Sequence, residues 1–86
     1  MKVSNLLSSS GNKVANQYVI EDNGTIFFQS YGSMIAEINH GKIYLDPVYY
    51  NYSKTTSKYL YRFLNMNKKE IDSYIRKGSI VFKNLN

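Results

Sequence analysis

Lys54, Lys58 and Arg62 recur every four residues, the spacing that stacks side chains on one ridge of an α-helix. Like charges at that spacing destabilise an isolated helix by about 0.2–0.5 kcal/mol per pair. No acid stands on the ridge to relieve them, so an external anion would. Ser53, Thr55, Ser57 and Tyr61 fall near the same surface, with hydroxyls suited to phosphate oxygens. Tyr49 and Tyr50 come just before the helix and offer rings on which bases can stack. Basic residues interleaved with aromatics are the ingredients of single-strand nucleic-acid binding. The sequence therefore nominates Lys54, Lys58, Arg62, Tyr49, Tyr50 and Tyr61 as a nucleic-acid site. The plainer reading makes the ridge the solvated back of an amphipathic helix, with Tyr52, Tyr59, Phe63 and Leu64 as its core side.

A second cluster is Phe27-Phe28-Gln29-Ser30-Tyr31. Adjacent residues of a strand point to opposite faces. One Phe is core, and the other is either covered by a helix or left for a partner. Phe27, Phe28 and Tyr31 are thus the candidate surface for a protein partner.

Other chemistry finds few residues. The single His, His40, sits in an Asn-His-Gly-Lys turn, without the nucleophile and orienting group a general base needs. There is no Cys, which removes thiol nucleophiles, disulfides and zinc-finger patterns together. The six acids are scattered, and none forms the close pair used in acid–base catalysis. Ser53-Lys54-Thr55-Thr56 lacks the glycines of a phosphate-cradling loop. Neither an enzyme, a metal site nor a cofactor is expected.

Charge divides the chain of 86 residues. Up to Asp46, three lysines stand against four acids; from Pro47 onward, eight basic residues stand against two acids. That asymmetry points the second half toward an acidic partner. Missing disulfides in so small a chain favour a reducing cytoplasm. The opening residues lack a signal-peptide core, and no run approaches a membrane span. The expected setting is the cytoplasm of a bacterial host, with no membrane contact.

The elements that must position these residues follow from local signals. Residues 1–13 are polar and small, including Ser8-Ser9-Ser10-Gly11-Asn12, and read as a flexible N-terminal arm. Residues 14–86 read as a single α+β domain. Asn16–Glu21 alternates, with Tyr18 and Ile20 on one face and Gln17 and Val19 on the other. Asn23-Gly24 then makes a hairpin turn into a strand at Thr25–Ser30. Ser33–Ile38 is a third strand, with Met34, Ala36 and Ile38 on one face. Asn39-His40-Gly41-Lys42 turns into a fourth at Lys42–Leu45.

The period then becomes helical. Ser53 is the expected N-cap of one helix, and Asn67 with Glu70 the capping box of a second, whose core side is Ile71, Tyr74 and Ile75. Gly78 ends it, and Ser79–Lys83 forms a last strand. The expected fold is α+β: an antiparallel sheet (a four-stranded meander plus a short C-terminal strand) with two helices packed on one face. An open sheet edge leaves a homodimer possible.

Three segments carry a resemblance. They are Val14-Ala15-Asn16-Gln17-Tyr18-Val19-Ile20, Phe28-Gln29-Ser30-Tyr31-Gly32-Ser33, and Tyr50-Asn51-Tyr52-Ser53-Lys54-Thr55-Thr56-Ser57-Lys58-Tyr59. Together they resemble a family of small uncharacterised proteins from bacteriophages and mobile elements of Firmicutes and gut bacteria. The resemblance implies a genomic setting rather than a mechanism. Two functional classes follow: a nucleic-acid-binding accessory protein, or a protein-binding inhibitor of a host defence system, such as an anti-CRISPR factor acting on a host nucleoprotein.

Overall fold

The computed structural model describes all residues, Met1–Asn86. Tight turns organise its first half. Asp22 pairs with Thr25 and Asn39 with Lys42, each pair enclosing two residues. Those residues, Asn23-Gly24 and His40-Gly41, all have φ between 51° and 84°. Left-handed conformations at both central positions match the twist of the flanking strands. The hairpins join β2 (Lys13–Asp22) to β3 (Thr25–Ser30), and β4 (Ser33–Asn39) to β5 (Lys42–Leu45).

The β3–β4 connection differs. Ser30 pairs with Ser33 around Tyr31-Gly32, and Tyr31 itself takes φ 58°. Gly32 N donates to Ser30 O at 2.9 Å, closing a three-residue turn centred on Tyr31. The Tyr31 N–H donates across to Asn16 O at 2.8 Å. Asn16 is also left-handed, at φ 65°.

Two further strands complete the sheet. Lys2–Leu7 forms β1, antiparallel to β2. The segment expected to be an arm therefore contributes a strand. The pairing is interrupted by a bulge opposite Asn5–Leu7, where Asn5 Nδ2 donates to Val14 O at 3.0 Å. After β5 come α1 (Lys54–Leu64), α2 (Lys68–Lys77) and β6 (Ile80–Phe82). β6 runs parallel to β5 at the far edge. Parallel neighbours need a crossover connection of a dozen or more residues, and the segment carrying α1 and α2 supplies it. The fold is α+β, as expected, but its sheet is a six-stranded mixed sheet rather than a four-stranded antiparallel meander with one added strand.

Both helices contribute to one core. Leu60 and Leu64 of α1 and Ile71 of α2 join Leu6, Phe28, Ile35, Ala36, Leu45 and Ile80. Phe28 stacks on Phe63 with centroids 5.4 Å apart. Burying each large side chain is worth about 1.5–3 kcal/mol. The register shift between Phe28 and Gln29 accompanies a change in β4. Ile35 and Ala36 are both buried and Met34 is only partly so, rather than Met34, Ala36 and Ile38 sharing the core face. In α2, Ile71 is the buried anchor while Tyr74 is exposed, contrary to its expected core position.

The caps fall where local chemistry put them. Ser53 Oγ accepts from Thr56 N at 3.1 Å. Asn67 and Glu70 form a reciprocal capping box, and Gly78 closes α2 in the left-handed conformation. No helix is long and apolar enough to cross a membrane.

Candidate nucleic-acid interface

The approach to α1 is set by Asp46, a buried carboxylate at the end of β5. Its Oδ1 accepts from Val48 N at 2.9 Å and Tyr49 N at 3.0 Å. Its Oδ2 accepts from Leu85 N at 2.9 Å and Asn86 Nδ2 at 3.0 Å. Burial pushes this carboxyl up, but the hydrogen bonds outweigh burial and hold it below its ordinary value of 3.8. Asp46 thus fixes the segment that presents Tyr49, Tyr50 and Tyr52.

Lys54 and Lys58 are both exposed on α1, as a solvated ridge requires. They line an open groove of about 760 Å3 together with Tyr52, Ser57, Tyr61 and Lys68. No acidic side chain lines it. Lys68 comes from the first turn of α2. Its Nζ sits 3.1 Å from Asp72 Oδ2, and that hydrogen bond, with the attraction of the same carboxylate, pushes its pKa up. Lys58 Nζ lies 5.3 Å from the centroid of the Tyr59 ring.

The remaining nominated residues are dispersed. Arg62 is tied to the β1 end, its Nε donating to Leu7 O and its Nη2 to Ser8 O, 2.6 Å away; it lines a separate small cavity with Lys58, not the lysine groove. Tyr50 is half-buried against Phe82, with ring centroids 5.2 Å apart. Tyr49 is half-buried and packs on Tyr52 at 5.6 Å. Neither is the free stacking ring the sequence offered. Tyr52, expected in the core, is instead 72 % exposed. It precedes α1 and its N-cap Ser53, so the helical period does not extend to it.

The alternative trio is also split. Phe28 is fully buried in the core, which removes it as a contact surface. Phe27 points to the opposite sheet face and is half-buried. Tyr31 is 60 % exposed at the β3–β4 turn. It borders a second cavity, of about 310 Å3, between that turn and the start of α1.

Behind this cavity the motif segments meet. Gln17 pairs in register with Ser30, and Ser30 Oγ lies 3.1 Å from Thr56 Oγ1 in a buried contact. Ser53 Oγ donates to the same Thr56 hydroxyl at 3.2 Å. Gln17 is fully buried, and neither polar atom of its amide has a hydrogen-bond partner in the chain.

Residues 1–80 match the model of a family of unknown function, DUF8033. The chain belongs to that family. The DUF8033 match runs from β1 to the first residue of β6, so it includes the segment expected to be an arm and all three motif segments. No curated protein and no solved structure matches the chain.

Lys68 and Tyr52 were not among the nominated residues. Lys68 had no local signal, because only the turn between the helices brings it beside Lys54 and Lys58. Tyr52 did have one: a tyrosine before an N-cap Ser lies outside the helix it was counted in.

Proposed function

We propose that the chain is an accessory protein of a phage or mobile element that binds single-stranded nucleic acid along the groove between α1 and the start of α2. One observation carries this reading: Lys54, Lys58 and Lys68 line one groove with no acidic lining residue, Lys68 alone being paired, to Asp72 at its margin, and Tyr52 and Tyr61 flank it. Ammonium groups on flexible stems follow a phosphate backbone without demanding one geometry. Tyrosine rings beside them suit unstacked bases. Three phosphate contacts on a single strand give log K a slope of about −2 against log salt concentration.

Fluorescence anisotropy with labelled single-stranded DNA and RNA, at low and physiological salt, tests it. Saturable binding with that slope is expected, and Lys54→Glu with Lys58→Glu should abolish it while leaving the circular dichroism spectrum unchanged. A double variant that binds as well as the parent chain would sink the groove as the binding path.

A second reading has its own support. Val3, Ile20, Phe27, Glu37, Tyr44 and Val81 pair in register across all six strands. On this row, on the sheet face opposite the helices, Val3 and Val81 are exposed, while Glu37 is buried and paired with Lys83. A protein-binding inhibitor of a host defence system would use that face, and Phe27→Lys would then end partner capture without affecting nucleic-acid binding.

A further inference from the structure

We propose that the cavity between the β3–β4 turn and the start of α1 receives one base of the bound strand. This rests on the reading of the lysine groove as a nucleic-acid path and assigns the strand a fixed contact point.

The cavity, about 310 Å3, is at the small end of ligand pockets, which start near about 300 Å3. No charged side chain lines it. A phosphate or carboxylate would gain no ion pair there, so a neutral ring is the better occupant. Tyr31 and Tyr52 stand at the cavity on two different elements, and both are mostly exposed. Tyr49, also at the cavity, packs on Tyr52. Rings left in water at the mouth of a cavity offer stacking faces to a flat ligand.

The polar groups fit the edge of a base. Ser30, Ser53 and Thr56 are engaged with one another. Ser33 and Thr55 also line the cavity, and their hydroxyls can each donate and accept. Hydroxyls of that kind meet the mixed donors and acceptors of a base edge.

Tyr31 carries an additional sign. A bulky side chain at φ 58° is strained. The backbone is held there by the Asn16 carbonyl, on the neighbouring strand. Strain kept in place by the surrounding structure concentrates at ligand sites. Continuity with the groove completes the case: Tyr52 and Ser53 line both spaces. A base seated in the cavity leaves its sugar and phosphate at the lysines.

The test compares two single strands of equal length and charge, one of thymidine and one of abasic deoxyribose phosphate. The thymidine strand should bind about tenfold more tightly, the scale of one or two stacked bases. Tyr31→Gly should remove most of the thymidine preference, with the same salt slope. Glycine accepts the positive φ, so the melting temperature should not fall, and a loss of binding cannot be ascribed to unfolding. Tyr52→Ala, at an exposed site outside the helix, should act in the same direction. Equal affinity for the two strands overturns the base pocket, and with it stacking on Tyr52 and Tyr61, and leaves the lysine–phosphate path standing. Undiminished thymidine binding by Tyr31→Gly also overturns it. Binding of neither strand by the parent chain overturns the pocket and the groove together.

Discussion

Arg62 Nη2 donates to the carbonyl oxygen of Ser8 at 2.6 Å, across 54 residues of sequence. With its Nε on Leu7 O, the guanidinium holds the end of β1 against the last turn of α1. The bonds give the guanidinium backbone oxygens as partners at the β1 end, where Arg62 still lines a small cavity with Lys58. Arginine suits this place because its planar fork can address two adjacent carbonyls, which a lysine ammonium does less well.

Arg62→Met keeps most of the stem and removes both bonds. The site is exposed, so the expected loss is about 1 kcal/mol, equivalent to a melting temperature lower by about 4–8 °C in a chain of this size. β1 amides should exchange faster, and Arg62→Lys should not restore them. Nucleic-acid affinity should fall less than in Lys58→Met. The reverse order of affinities would return Arg62 to the binding ridge.

Asp46 makes stability depend on acid. Its carboxyl lies below the ordinary 3.8 in the folded chain, so the folded state holds the proton less tightly than the unfolded state. The stabilisation is therefore fully present above about pH 4 and is lost as pH falls through the lowered folded value. Urea midpoints should be flat from neutral pH down to that region and then drop. Asp46→Asn sets an amide N–H against donors on one side of the clamp, costing about 1–3 kcal/mol, and should flatten the acid limb. An unchanged acid limb in Asp46→Asn would assign it to other carboxylates.

The sequence made local features legible because neighbouring residues alone determine them. Asn23-Gly24 needs only its own φ preference to make a turn, and Ser53 and Asn67 need only the N–H groups three residues on. Features set by distant pairing were not legible. Lys2–Leu7 has no clean alternation, and it becomes β1 through pairing with β2 across a bulge. The last strand was visible, but its parallel sense depends on the path of the chain through α1 and α2. In the candidate site, Lys54 and Lys58 could be read from helical spacing. Arg62's tie to the β1 end depends on carbonyls 54 and 55 residues away, and Lys68's arrival depends on the angle between two helices.

Gln17 should be a stabilising position. Its amide is buried with neither atom paired, and a buried polar group without a partner costs about 1–3 kcal/mol. Gln17→Met nearly preserves volume and removes the unpaired atoms. Thermal unfolding should shift upward by about 4–8 °C for a gain near about 1 kcal/mol. A downward shift would mean that the amide makes hydrogen bonds in solution that stabilise the fold.

Asp72 restrains the groove. Its carboxylate holds Lys68 Nζ at 3.1 Å, so one of the three groove ammonium groups is already matched by an anion. A phosphate arriving there must share or displace that carboxylate. Asp72→Asn removes the competing charge while keeping the shape of the side chain. An exposed i,i+4 pair is weak and screened, so affinity for single-stranded nucleic acid should rise by only up to about fivefold. Lys69→Gln serves as the control. It removes one positive charge from the neighbouring position, but Lys69 lies with Glu70 and Ser73 on a different part of α2, outside the groove. Lys68→Gln should weaken binding more than Lys69→Gln does, although each changes the net charge equally. Equal effects from the two lysines would reduce the groove to a general positive field, whereas a gain in Asp72→Asn with a selective loss in Lys68→Gln would locate the phosphate beside Lys68.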